Sequence, residues 1–145
     1  MLNNMDYSDQ ALREDMKYWG YWVVRELGLS GFRLDATNHV SQRFTNEWMT
    51  HVDAAIGQKL FYVGEFWSGD VKLLVNWLSQ SPPKYHLFDV PLFYSMAKMS
   101  LSDTPDLRLI FNNTLVHAKP YNAVTFVMNH DTQYVQTIPS FLTGK

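Results

Sequence analysis

Gly31-Phe32-Arg33-Leu34-Asp35 and Leu60-Phe61-Tyr62-Val63-Gly64-Glu65 decide how this chain is read. Each stretch is short, mostly apolar, rich in residues that fit an extended backbone, and ends on a carboxylate. Each also follows a segment with helical spacing. Ahead of the first, Leu12, Met16, Trp19, Val23 and Leu27 recur at three- and four-residue steps. That spacing predicts an amphipathic helix, capped by Ser8 or Asp9 and stopped by Gly28. Between the two stretches, Phe44, Trp48, Val52 and Ile56 form a second helical stripe closed by Gly57.

The alternation continues to the far end. Val71, Leu74, Val75 and Leu78 make a third stripe, Pro82-Pro83 breaks the chain, and His86-Leu87-Phe88-Asp89 reads as a short strand. Helical material is expected over 92–96 and 107–115, and Val124-Thr125-Phe126-Val127 reads as a fourth strand. No linker or low-complexity tract divides these elements. Helices alternating with short, nearly all-apolar strands imply an α/β fold with a parallel sheet of crossover units. Strand after strand runs into an acidic residue: Asp35, Glu65, Asp89, Asp131. Functional groups at the carboxyl ends of several strands favour a (β/α) barrel. An open doubly wound sheet would more often carry a glycine-rich phosphate turn, and none is present.

Composition narrows the chemistry. The 145 residues are 46% hydrophobic and 15% aromatic, enough for one sizeable core and short for two ordinary domains. Net charge is -2 and pI about 6.2, so no basic field draws phosphates. Nucleic acid and anionic membrane are not expected partners, and an uncharged substrate fits better. There is no cysteine, which removes disulfides, thiolate metal sites and thiol nucleophiles. Met1-Leu2-Asn3-Asn4-Met5-Asp6 lacks the basic start and apolar run of a signal peptide, and no stretch approaches the roughly twenty apolar residues of a membrane span. Cytoplasmic and secreted locations both stay open, as does oligomeric state.

Hydrolysis of an acetal needs one group to protonate the leaving oxygen and a carboxylate on the opposite face of the sugar. Asp35 and Glu65 are the natural pair. Arg33 stands two residues before Asp35, so on a strand the two side chains share a face and the cation keeps Asp35 charged. Glu65 is bracketed by Val63, Gly64, Phe66 and Trp67, an apolar setting suited to a general acid. Taken singly, each feature has a plainer reading. Arg33 and Asp35 would be a structural ion pair, Glu65 a strand-end charge, His39 a satisfied polar residue, and Asn129-His130-Asp131 a turn with a helix cap. A zinc hydrolase built on His39, His130, Asp35 and Asp131 is a further reading, though no HExxH-like spacing supports it. Asn112-Asn113-Thr114 fits the glycosylation acceptor pattern.

Three stretches taken together resemble one family. Gly31-Phe32-Arg33-Leu34-Asp35-Ala36-Thr37-Asn38-His39 resembles the second signature region of the α-amylase family of glycoside hydrolases. Val63-Gly64-Glu65-Phe66-Trp67 resembles the third and Phe126-Val127-Met128-Asn129-His130-Asp131-Thr132-Gln133 the fourth, in the same order. The lead-in from Met5-Asp6-Tyr7 to Gly28 and the segment Phe88-Asp89-Val90-Pro91-Leu92 look like the liquefying type, so the resemblance runs over nearly the whole chain.

The resemblance implies retaining cleavage of internal α-1,4-glucosidic bonds in starch or related glucans. Asp35 would be the nucleophile, Glu65 the general acid and base, and Asp131 the transition-state stabiliser. Arg33 would orient Asp35, His130 would bond the sugar in the cleaved subsite, and Trp67 with Phe66 would line the cleft. His39 would bind glucose hydroxyls or lend its backbone carbonyl to the calcium ion such enzymes carry, calcium being an oxygen-seeking cation. A retaining reaction implies carboxyl groups of Asp35 and Glu65 about 5 to 5.5 Å apart.

Three departures accompany the match. Asn38 stands where a lysine is usual and Met128 where an acid is frequent. The first signature region, the early strands, the inserted calcium-binding domain, the last strand and the C-terminal sheet domain are not found in the sequence. A whole barrel takes about 250 residues. The expectation is therefore a partial (β/α)8 barrel domain over 1–145, holding about four strands, the fourth to the seventh, with an incomplete calcium site. The rival expectation is an inactive fragment that binds glucan weakly.

Overall fold

The structure, a computed structural model, describes residues 5–132. Met1 to Asn4 of the opening segment and Gln133 of the last motif lie outside the described residues. The chain forms two compact units, one ending at Glu65 and one beginning at Phe66.

In the first unit, helix α1 spans Gln10–Leu27. The Asp9 carboxylate accepts the N–H groups of Ala11 and Leu12, two of the donors a helix start leaves unpaired. Gly28 closes it in the left-handed conformation, φ 63°. Strand β1, Gly31–Leu34, and strand β2, Phe61–Gly64, flank helix α2, Gln42–Ile56, which is capped by Ser41 and closed by Gly57. The strands pair in parallel, Gly31 with Phe61 through Leu34 with Gly64.

The face α1 buries differs from the expected stripe. Lys17, Gly20 and Val24 are its buried residues, while Trp19 is 51% and Leu27 67% exposed. The cause lies on α2. The Trp48 ring sits against Gly20 so closely that an added methyl there would come within 2.6 Å of it. The Trp48 indole N–H also donates to the Met16 carbonyl at 2.8 Å. One helical turn away, Arg13 and Lys17 both pair with Glu47, and Lys17 pairs with Glu14 at 2.6 Å. Hydrogen bonding from Lys17, and then from Arg13, holds the Glu47 carboxyl below its ordinary 4.5. Phe32 and Tyr62 point from the sheet into this layer, their rings 6.0 Å apart, with Trp48 edge-on to both.

In the second unit, helix α3 spans Val71–Ser79 with Asp70 as cap, strand β3 Tyr85–Phe88, helix α4 Val90–Ser100, helix α5 Leu115–Ala118, and strand β4 Ala123–Val124. β3 and β4 pair in parallel, Leu87 with Ala123 and Phe88 with Val124. β4 is shorter and earlier than the expected 124–127. The helix expected over 107–115 is replaced by a 3-10 turn at Leu107–Leu109 and then α5. Asn113, at φ 54°, turns the chain out of helical geometry between them. No described helix is long and apolar enough to cross a membrane.

Two outcomes follow for stability. Gly20→Ala forces Trp48 out of its seat and lowers unfolding free energy by about 1 to 3 kcal/mol, read from urea midpoints. Because folding lowers the Glu47 pKa, its contribution is present above about pH 4.5 and fades as pH falls below that value. Glu47→Gln therefore loses about 1 kcal/mol at neutral pH and shows a shallower acid decline.

Candidate active site

The register of β1 with β2 sets two carboxylates side by side. Since Leu34 faces Gly64, the next residues along are Asp35 and Glu65. The Glu65 N–H donates to the Leu34 carbonyl at 2.8 Å, extending the ladder by one step past the strand ends. With Phe32 and Tyr62 turned toward the helices, Arg33, Asp35, Val63 and Glu65 belong to the opposite face.

Arg33 joins the pair. One guanidinium nitrogen lies 2.9 Å from Asp35 Oδ1 and the other 3.1 Å from Glu65 Oε1. The Asp35 side chain is 73% exposed, whereas Glu65 is nearly covered. One aspect of the expected setting is corrected here. Glu65 does not sit among apolar groups alone, because Oε1 meets Arg33 and Oε2 accepts the Ala36 N–H at 3.1 Å.

Ala36 is the residue that sequence reasoning missed. It adopts the left-handed conformation, φ 43° and ψ 45°, which is uncommon without a glycine or asparagine. The bend sends its N–H to the Glu65 side chain and the Thr37 N–H to the Glu65 carbonyl at 2.9 Å. Alanine carries no sequence signal for this conformation. The turn then runs into a 3-10 turn at Thr37–His39, with Thr37 buried and Asn38 and His39 exposed. The Asn38 amide and His39 Nε2 are 3.3 Å apart.

The other expected residues belong to the second unit. Asp131 is not at a strand end: it lies beyond β4, in a turn closed by Asn129 and Thr132. The Asn129 N–H donates to Thr132 Oγ1, and the Thr132 N–H donates to Asn129 Oδ1, both at 3.0 Å. This lock leaves His130 and Asp131 exposed, with His130 Nε2 3.4 Å from Asp131 Oδ2. Trp67 is half-buried. It packs on Phe93 and Phe126, and its indole N–H donates to the Tyr94 hydroxyl at 3.1 Å. Phe66 meets the Trp77 ring edge-on.

Asp89, the remaining strand-end acid, has a different task. It is fully buried and accepts the N–H groups of Leu92, Leu115 and Val116, tying the first turns of α4 and α5 to the end of β3. Thr114 of the glycosylation pattern is likewise buried, its hydroxyl donating to the Phe111 carbonyl at 2.7 Å.

The described residues gather no group of three or more His, Asp or Glu side chains placed to hold a metal ion. His39, whose backbone carbonyl is the expected calcium ligand, ends the 3-10 turn Thr37–His39.

No family model matches the chain. It is 39% identical over 143 residues to the glucan 1,4-alpha-maltohexaosidase of Bacillus sp. strain 707, with 98% of this chain aligned. It is 40% identical over 141 residues to the cytoplasmic alpha-amylase of Escherichia coli K12, and 39% over 141 residues to the alpha-amylase of Bacillus licheniformis, with 95% and 97% of this chain aligned. The chain spans 28% of the length of each. Its fold matches that of an Anoxybacillus alpha-amylase with a TM-score of 0.74 at 23% identity, covering 90% of this chain and 29% of that one.

Asp89→Ala strands three N–H groups, two of them buried, and costs about 3 kcal/mol in thermal or urea unfolding. Asp35→Asn touches only an exposed pair and shifts stability by less than about 1 kcal/mol in the same measurement.

Proposed function

Because the chain belongs to the α-amylase family of glycoside hydrolases, we propose that it carries the bond-cleaving carboxylates of a retaining hydrolase acting on internal α-1,4 links of starch or related glucans. The observation that supports this most is the single guanidinium of Arg33 shared by Asp35 and Glu65 at neighbouring strand ends.

In this reading Asp35, the more exposed acid, attacks the anomeric carbon and forms the glycosyl-enzyme. Glu65 gives its proton to the leaving oxygen, then takes one from the water that releases the sugar. Arg33, 2.9 Å from its Oδ1, keeps Asp35 aimed. The Ala36 N–H fixes Glu65 Oε2, so that Oε1 faces the shared space. Asp131 is assigned as stabiliser of the oxocarbenium-like centre by its motif, with His130 beside it as a sugar hydrogen-bonding group. Asn38 and His39, exposed on the turn after Asp35, bind glucose hydroxyls, and Trp67 supports the cleft from within its aromatic cluster. The whole of 1–145 is then part of one (β/α)8 catalytic domain, its strands the fourth to the seventh.

A second reading concerns the 145-residue polypeptide taken by itself, which would bind glucan weakly without turnover. Reducing-sugar release from soluble starch separates the two. The first reading expects release that falls at least about a hundredfold in Glu65→Gln, with retained anomeric configuration. Release undiminished in that variant removes Glu65 as the acid. Maltoheptaose binding with no release by the unaltered chain establishes the second reading.

A further inference from the structure

A groove of about 580 Å³ opens on the second unit, between α4 and the loop that leads to α5. We propose that this groove is a separate carbohydrate-binding site that takes a neutral α-glucan chain. The choice of α-linked glucose rests on the function proposed above, whereas the groove's own chemistry calls for an uncharged, polyhydroxylated chain.

A sugar offers apolar C–H faces ringed by hydroxyls, so its site needs a flat ring and neutral groups that both donate and accept. The groove has both. Tyr94 lines it from α4 with 42% of its surface exposed, and its ring is anchored on two sides. Its hydroxyl accepts the Trp67 indole N–H, and its ring lies 5.3 Å from that of Phe93. A ring already fixed loses little freedom when a ligand settles on it.

Asn112 and Asn113 also line the groove, both exposed, and neither carboxamide makes a hydrogen bond within the described residues. Each can give two hydrogen bonds and accept two. Asn113 is held at φ 54°, a conformation asparagine tolerates better than most residues.

Charge selects against anionic ligands. Asp106 lines the groove, but both its oxygens are taken by the Arg108 guanidinium at 2.8 Å, and it also accepts the Arg108 N–H. Among the described residues, Lys98 is the one cation lining the groove. A single exposed ammonium suits one hydroxyl cluster and falls well short of the several cations that a phosphate polymer needs. Met99, Pro91 and Leu109 add apolar lining.

The test titrates maltoheptaose into the 145-residue chain by NMR, with Tyr94→Ala, Tyr94→Phe, Asn112→Ala and Glu65→Gln beside it. Asn112→Ala, which removes exposed hydrogen-bonding groups only, is expected to weaken binding about fivefold. Tyr94→Ala is expected to weaken it about tenfold, and Tyr94→Phe to restore most of that loss. Glu65→Gln leaves the binding in place. Binding indifferent to both Asn112→Ala and Tyr94→Ala, or no binding at all, overturns the proposal. The starch assay is independent: if release fails while the Asn112 dependence holds, the groove stands and the catalytic reading falls. If release depends on Glu65 while the titration ignores Asn112 and Tyr94, the reverse is true.

Discussion

A guanidinium held between two carboxylates is the constraint around which the first unit is organised. Two acids at adjacent strand ends repel, and Arg33 turns that repulsion into two ion pairs. The arrangement depends on register. A slip of one residue would move Arg33 and Asp35 onto the face where Phe32 now packs, because side chains alternate along a strand. Gly31 helps hold the register: a side chain there would collide with the Phe61 carbonyl, at 2.1 Å from an added methyl. The aromatic layer of Phe32, Trp48 and Tyr62 fixes it from the other side of the sheet.

The left-handed turn at Ala36 shows how local strain is offset at such a site. A non-glycine residue there costs about 1 to 2 kcal/mol. Against that stand two backbone donors delivered to one residue, Ala36 to the Glu65 side chain and Thr37 to its carbonyl. Glu65 is thereby gripped by Arg33, by a bent backbone and by its own ladder bond to Leu34. Asp35 has only Arg33 among these and remains mostly exposed. One acid is immobilised and the other presented, the asymmetry on which the proposed reaction rests.

Much of this was legible in the sequence because it rests on local rules. The ends of α1 and α2 were marked by Asp9, Gly28 and Gly57, and β1 and β2 by alternating apolar runs closing on acids. What was not legible came from contacts distant in sequence. The buried line of α1 runs through Lys17 and Gly20 because Trp48 and Glu47 wait on α2, and periodicity alone favoured the larger apolar residues beside them. The break at Asn113 was hidden in a run with helical spacing. It becomes intelligible once Asp89 is seen taking up the N–H groups at the start of α5.

Asp89 also shows how far the pattern of strand-end acids can be carried. In sequence it is indistinguishable from Asp35: a short apolar strand, a carboxylate, then a helix or turn. Environment separates them. Three backbone N–H groups surround Asp89, which is fully buried, so its oxygens serve the peptide chain and no substrate can reach them. Asp35 has one charged partner and open solvent on its remaining sides. Asp131 reaches exposure by another route, carried past its strand by a turn that Asn129 and Thr132 hold shut. A carboxylate after a strand is therefore a statement about position. Whether it is consumed by the backbone or left open to solvent is decided by how many backbone donors the following segment turns toward it.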